Sequence, residues 1–262
     1  MKPLIVLTND DGIESPGLRA AAQAVADLGE LLIVAPKDQQ SSIGRAFIGD
    51  VEPSFAVEYA VNGKSVRAYA APCTPAVAAR HAILLLANRK PALVIAGINY
   101  GENIGSGVTI SGTLGAALDA ATQNVPALAV SVATPREFHR SHSAEIDFAA
   151  SAHFTRVFAE KILRAGLPRA ADVINVNVPQ TATPQTLWRW TRVSRELYFV
   201  STIEEKNGRK NFTGYAVGYN VENLERDSDI YAVCEEGIVS VTPITFDLTA
   251  RVEPSELQVW EK

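Results

Sequence analysis

The chain has 262 residues, enough for one large α/β domain or two small ones, and at 47% hydrophobic against 20% charged it is not disordered as a whole. Its 24 Lys and Arg against 29 Asp and Glu give a net charge of −5, a balance that argues against a duplex nucleic acid partner, whose binders carry a basic face. The longest apolar run considered for a membrane, Ala82 to Ala87, is far short of the roughly 20 residues a span requires. The run Leu4 to Leu7 is likewise too short for a secretory leader, so a cytoplasmic protein with no membrane partner is expected.

In chain order, Leu4 to Thr8 reads as a buried strand, and Gly17 to Leu28 as a helix with Leu18, Ala21, Ala22 and Val25 on one face. Leu31 to Val34 is a second buried strand. Residues 47–70 are β-rich around Asn62-Gly63, a strong hairpin signal, and read as an insertion. Thr74 to Asn88 is a helix with Thr74 as N-cap and Pro75 at its first position. Strands follow at Ala92 to Ala96 and Ala127 to Val132, separated by a small-residue helix from Thr113 to Thr122. A long amphipathic helix spans Ala144 to Ala165, and a strand covers Asp172 to Val178. Such alternation implies α/β architecture, a doubly wound, mostly parallel sheet with helices on both faces. After Pro179 aromatic residues accumulate around Asn207-Gly208, so residues 180–262 are expected to be a β-hairpin extension with a short helix from Pro254 to Trp260. The division expected is thus an α/β catalytic body over 1–179 and an extension over 180–262, working as a single functional domain.

In a doubly wound sheet, ligands bind beyond the carboxyl ends of the strands. Asn9-Asp10-Asp11-Gly12 follows the first strand, and two adjacent carboxylates stay ionised comfortably only beside a cation or several donors. A polar loop, Lys37 to Arg45, follows the second strand, where a serine hydroxyl can complete an oxygen-ligand shell. After the strand at Ala92 comes a stretch with glycines at 97, 101, 105, 107 and 112, and Ser111-Gly112-Thr113 then opens a helix. The free N–H groups there favour an anion such as phosphate. Together these loops offer the oxygen donors suited to a hard divalent cation, beside an anion-receiving helix start. His139 and His142 read as surface-loop residues, Cys73 and Cys234 as inert, and the late aromatics as packing or subunit contacts rather than base-stacking groups.

Read in order, these loops resemble the SurE (survival protein E) nucleotidases. The resemblance rests on Leu7-Thr8-Asn9-Asp10-Asp11-Gly12-Ile13, Val34-Ala35-Pro36 with Ser41, Gly97-Ile98-Asn99 through Ser111-Gly112-Thr113, and Pro126 to Ser131. It implies a Rossmann-like fold with a β-rich C-terminal extension, and a metal-dependent phosphomonoesterase acting on nucleoside 5′- and 3′-monophosphates, with short polyphosphate a further substrate. The metal ligands implied are Asp10, Asp11, Ser41 and Asn99, holding one divalent cation (Mg²⁺, Mn²⁺ or similar) per subunit. A metal-activated water attacks phosphorus in this reading, with Asp10 or Asp11 as catalytic base. Phosphate contacts are assigned to Asn9, Gly107, Ser111, Gly112 and Thr113, and a homodimer or homotetramer is expected. Two departures from the family pattern stand out: the Asp-Cys pair usual near residues 71–77 is absent, and Ile110 replaces the usual tyrosine before Ser-Gly-Thr. Two rivals share an acidic site after strand one. A haloacid-dehalogenase-type phosphatase requires Asp-x-Asp there, and a receiver-like Mg²⁺-binding module requires an aspartate where this chain has Asn99.

Overall fold

The computed structural model describes residues 2–143 and 145–260. Thirteen strands are found among these residues: β1 (Leu4–Thr8), β2 (Glu30–Pro36), β3 (Phe55–Val57), β4 (Ala60–Val61), β5 (Lys64–Ser65), β6 (Arg67–Ala71), β7 (Leu93–Tyr100), β8 (Ala127–Val132), β9 (Val173–Val178), β10 (Trp188–Trp190), β11 (Phe199–Lys206), β12 (Arg209–Val217) and β13 (Val239–Ile244). Nine form one sheet in the order β10-β13-β9-β8-β7-β1-β2-β6-β3. The six from β6 to β9 are mutually parallel. Numbered among themselves they run 3-2-1-4-5-6, the doubly wound order that reverses direction between β1 and β7. The edges are antiparallel additions: β3 on β6, and β13 on β9 with β10 beyond it.

Strand alternation divides the core between the two faces of the sheet. Ile5 and Leu7 pack against α1 (Pro16–Val25) and against Phe154 and Phe158 of α4 (Ala149–Ala165). Leu4 and Val6 face the other side, with Val77 of α2 (Pro75–His81) and Leu114 of α3 (Gly112–Thr122).

Several expected boundaries shift. The long helix begins at Ala149; its expected start at Ala144 lies outside the described residues. Thr74 stands at the N-cap of α2 but does not cap it, because its hydroxyl donates to the Ala46 carbonyl at 2.6 Å. Beyond His81 that helix widens into a π-turn over Ala82–Leu86. The supposed insertion 47–70 contains β6, which is the third parallel strand of the main sheet. Only β4 and β5 form a separate hairpin, on the Asn62-Gly63 turn at φ 50° and 75°. A division at residue 179 also runs through one sheet, since β10 and β13 belong to it. The Asn207-Gly208 hairpin is present as β11–β12.

The close approach of α3 to the 37–45 loop yields a prediction whose sign is not obvious. Alanine is a better helix residue than glycine by about 1 kcal/mol. A Cβ at Gly115, however, would lie 2.1 Å from the carbonyl oxygen of Gly44. Gly115→Ala is therefore expected to lower stability by roughly 1–3 kcal/mol, read as a lower urea midpoint; an unchanged or raised midpoint would show that the loop is free to retreat.

Candidate active-site cleft

β1 ends where the strand order reverses, so Asn9, Asp10 and Asp11 emerge into the crevice between β1 and β7. Asp10 and Asp11 are 6% and 2% exposed. The Thr113 hydroxyl donates to Asp10 Oδ1 at 2.5 Å, and a Cβ on Gly112 would stand 2.8 Å from Asp10 Oδ2. The carboxylate of Asp10 thus sits on the N-terminus of α3. Asp11 is braced on both oxygens, by Gln39 Nε2 at 2.9 Å and by the Tyr100 N–H at 3.2 Å. Desolvation raises the pKa of Asp10 to about 6, against the opposing bonds from Thr113. Burial, and then repulsion from Asp10, pushes Asp11 well above the usual carboxylate range.

Asn99 comes from an irregularity in β7. Ala96 pairs with Ala129 and Asn99 with Ser131, so β7 carries one extra residue there. The Asn99 amide nitrogen donates to the carbonyls of Gly101 at 2.6 Å and Tyr100 at 3.3 Å. That fixes which end of the amide remains available, and its oxygen takes no hydrogen bond from the described residues.

A cleft of about 350 Å³ gathers Asp10, Ser41, Asn99, Gly107, Ser111 and Gly112 along one wall. Asp11 lies just beneath it. Two expected phosphate contacts are corrected. Asn9 is fully buried, and its side chain both accepts from and donates to the backbone of Gly12, bracing the turn. Thr113 is spent on Asp10. The anion received at the start of α3 is therefore the protein's own carboxylate, while Ser111 caps the helix by accepting from the Leu114 N–H at 3.1 Å.

The opposite wall comes from segments that sequence reasoning set aside. His139, expected on a surface loop, lines the cleft with Arg140; its ring nitrogens meet the Tyr215 hydroxyl at 2.9 Å and the Thr134 carbonyl at 3.0 Å. His142 reaches the backbone carbonyl of Asp11 at 2.9 Å. Phe199, Phe212 and Tyr215 of the β11–β12 hairpin complete the enclosure. No local pattern links residue 139 to residue 215. Gln39, by contrast, was findable, since it lies in the loop already suspected.

Comparison with known proteins gives a consistent picture. A family model described as Survival protein SurE matches residues 5–199. The 5′-nucleotidase SurE of Methanothrix thermoacetophila is 40% identical over 259 residues, covering 97% of this chain and 96% of the relative. That of Thermococcus gammatolerans is 40% identical over 254 residues, covering 97% and 94%. The crystal structure of the SurE protein from Aquifex aeolicus superposes with a TM-score of 0.78 at 27% identity, covering 99% of this chain and all of that one. These matches leave the haloacid-dehalogenase and receiver readings without support.

The acid pair makes a pH-dependent contribution to stability of definite sign. Because burial raises both carboxyl pKa values above those of the unfolded chain, the folded state takes up protons. The contribution of Asp10 is complete below about pH 4 and is lost as pH rises through about 6, while that of Asp11, raised well above the usual range, is lost on the same side as pH rises through its own elevated value. Asp11→Asn is accordingly expected to raise the melting temperature of metal-free protein at pH 7.5, yet hardly change it at pH 4, where the acid is already neutral. Equal shifts at the two pH values in thermal unfolding would refute the assignment.

Proposed function

The chain belongs to the SurE family, and from that premise we propose that it is a metal-dependent phosphomonoesterase hydrolysing nucleoside 5′-monophosphates to nucleoside and phosphate. One observation carries the reading: two adjacent carboxylates are buried together with no cationic side chain among the described residues bonded to either, beside further oxygen donors on the same cleft. To be ionised together near neutral pH, such a pair requires positive charge from outside these residues. The donor set of Asp10, Asp11, Ser41 and Asn99 is all oxygen and suits one hard divalent cation per subunit. Among the described residues no group of three or more His, Cys, Asp or Glu stands together as a metal centre, so the proposed site rests on two carboxylates with neutral oxygen donors.

When bound, a divalent cation supplies the charge that acidifies water and neutralises a phosphate in its transition state. The chain's own residues do the rest. Gln39 and the Tyr100 N–H hold Asp11 in place, and Thr113 does the same for Asp10. We assign Asp10, which lines the cleft, as the acceptor of the attacking water's proton. Arg140, the one Lys or Arg among the described residues lining the cleft, neutralises phosphate charge from the wall facing Gly107 and Ser111. This machinery grips a terminal phosphate, so 3′-monophosphates and short polyphosphate fall within the proposal as secondary substrates.

Assembly is part of the same reading. Ile203 and Phe212 on the hairpin are 58% and 78% exposed, and Trp190 on the edge strand is 52% exposed. Apolar groups displayed in this number mark a contact surface, and we propose a homodimer or homotetramer of this chain in solution. No helix among the described residues is long and apolar enough to cross a membrane.

Chelation is expected to abolish phosphate release from nucleoside monophosphates, with recovery on adding Mg²⁺ or Mn²⁺; full turnover after exhaustive chelation would overturn the metal requirement. Asp10→Asn should lower kcat by about 10²–10⁴-fold, the usual worth of a general base, and a loss under threefold would move the site elsewhere. Light scattering of the intact protein should give at least twice the monomer mass at micromolar concentration. A single monomeric species would refute the assembly.

A further inference from the structure

Behind the wall formed by His139, Phe199 and Tyr215 lies a second cavity of about 240 Å³, closed by Glu102, Thr134, Arg136 and Tyr198 among others. Glu102 borders both spaces. It is 5% exposed, its Oε2 has no hydrogen-bond partner among the described residues, and it forms no ion pair there. Thr134, itself 8% exposed, lines the same cavity, and its hydroxyl has no hydrogen-bond partner among the described residues. Buried polar atoms are nearly always satisfied, so two orphans on one cavity point to a ligand that supplies the missing partners. Neither group has a part in the hydrolysis proposed above.

The surroundings restrict that ligand. The shared wall is aromatic, suited to the face of a planar ring. The cavity also presents a carboxylate, Glu102, which only accepts hydrogen bonds while ionised. Glu102 also lies three residues beyond Asn99, hence within about 10 Å of it even along extended chain. That is the reach from the phosphate of a mononucleotide to the far edge of its base.

We propose that Glu102 reads the base of the substrate and that the base it selects is guanine, an inference that rests on the nucleotidase reading. Guanine presents two adjacent donors, N1–H and the 2-amino group, which a carboxylate accepts together. Adenine and cytosine place a ring-nitrogen lone pair beside their amino group, and that lone pair opposes a carboxylate oxygen. Uracil offers one N–H between two carbonyls, and hypoxanthine keeps N1–H but lacks the amino group. Thr134 and Arg136 bring donors to the same cavity for the O6 carbonyl of guanine.

The test measures kcat/KM for GMP, IMP and AMP with the intact metal-loaded protein, and the Kd of guanosine and adenosine for metal-free protein by calorimetry. GMP should exceed AMP at least tenfold with IMP between them, and guanosine should outbind adenosine in the same sense. In Glu102→Gln the amide both donates to adenine N1 and accepts from its amino group, so the GMP to AMP ratio should move at least tenfold toward AMP. A GMP to AMP ratio below ten in the unaltered protein, or a smaller movement in the variant, overturns the assignment, and the first of these readings needs no variant to fold. The two proposals fail separately. Hydrolysis without the preference sinks only the guanine reading, whereas selective guanosine binding without hydrolysis of any monophosphate upholds it and sinks the nucleotidase reading.

Discussion

Burying one carboxylate without a counter-charge is unfavourable, and burying two in succession adds their mutual repulsion. Asp10 and Asp11 impose that problem at the end of β1, and much of the neighbouring structure answers it. The Thr113 hydroxyl and the start of α3 serve Asp10, while Gln39 from the loop after β2 and the Tyr100 N–H from β7 serve Asp11. His142 takes up the backbone carbonyl of Asp11, and the Gln40 N–H that of Asp10 at 2.7 Å. These partners come from four segments lying between Gln39 and His142. They meet because the strand order reverses between β1 and β7, leaving a crevice with no helix crossing over it. Hydrogen bonds orient the two carboxylates but do not neutralise them. In the proposed reading the site is completed by a cation that the described residues do not supply.

That arrangement reassigns the helix N-terminus. Glycine-rich loops leading into helices ordinarily receive phosphate, and the stretch from Gly97 to Thr113 has that composition. Here the space is taken by Asp10, and Gly112 lacks a side chain because any Cβ would collide with that carboxylate. The helix N-terminus therefore favours the ionised form of that carboxylate and, on the proposed function, acts on the substrate only through it. In that reading phosphate is met from the facing wall, where Arg140 stands.

Legibility in the sequence followed locality. Five of the six parallel strands and the four principal helices were readable because each is a single run with its own periodicity, and the acid pair because it directly follows an apolar strand. β6 was obscured by its Ala-rich, alternating sequence next to a true hairpin turn, which made a central strand resemble part of an insertion. Asn9 and Thr113 were misread for a different reason. Their residue types fit phosphate contacts, but side-chain direction is set by tertiary neighbours: Gly12 for one and Asp10 for the other. His139 was invisible as a cleft residue because its partner, Tyr215, is 76 residues away on a hairpin whose placement over the sheet has no local signature.

That placement is itself enforced, which settles how the C-terminal third relates to the rest. β13 pairs with β9 and β10 with β13, so the chain on either side of the hairpin is stitched into the main sheet. Between them the fully buried Asp229 accepts from the N–H groups of Gly105 at 3.0 Å, Ser194 at 2.9 Å and Ile230 at 2.8 Å. Gly105 begins the turn that carries Gly107 into the cleft, and Ser194 lies just before the hairpin. One carboxylate thus ties the floor of the cleft to the base of its far wall. Burial raises its pKa, but three backbone donors work against that rise, as expected for a charge retained for structural reasons. The aromatic wall is therefore held in register with the acid pair by the fold itself, so the two sides of the cleft cannot drift apart independently.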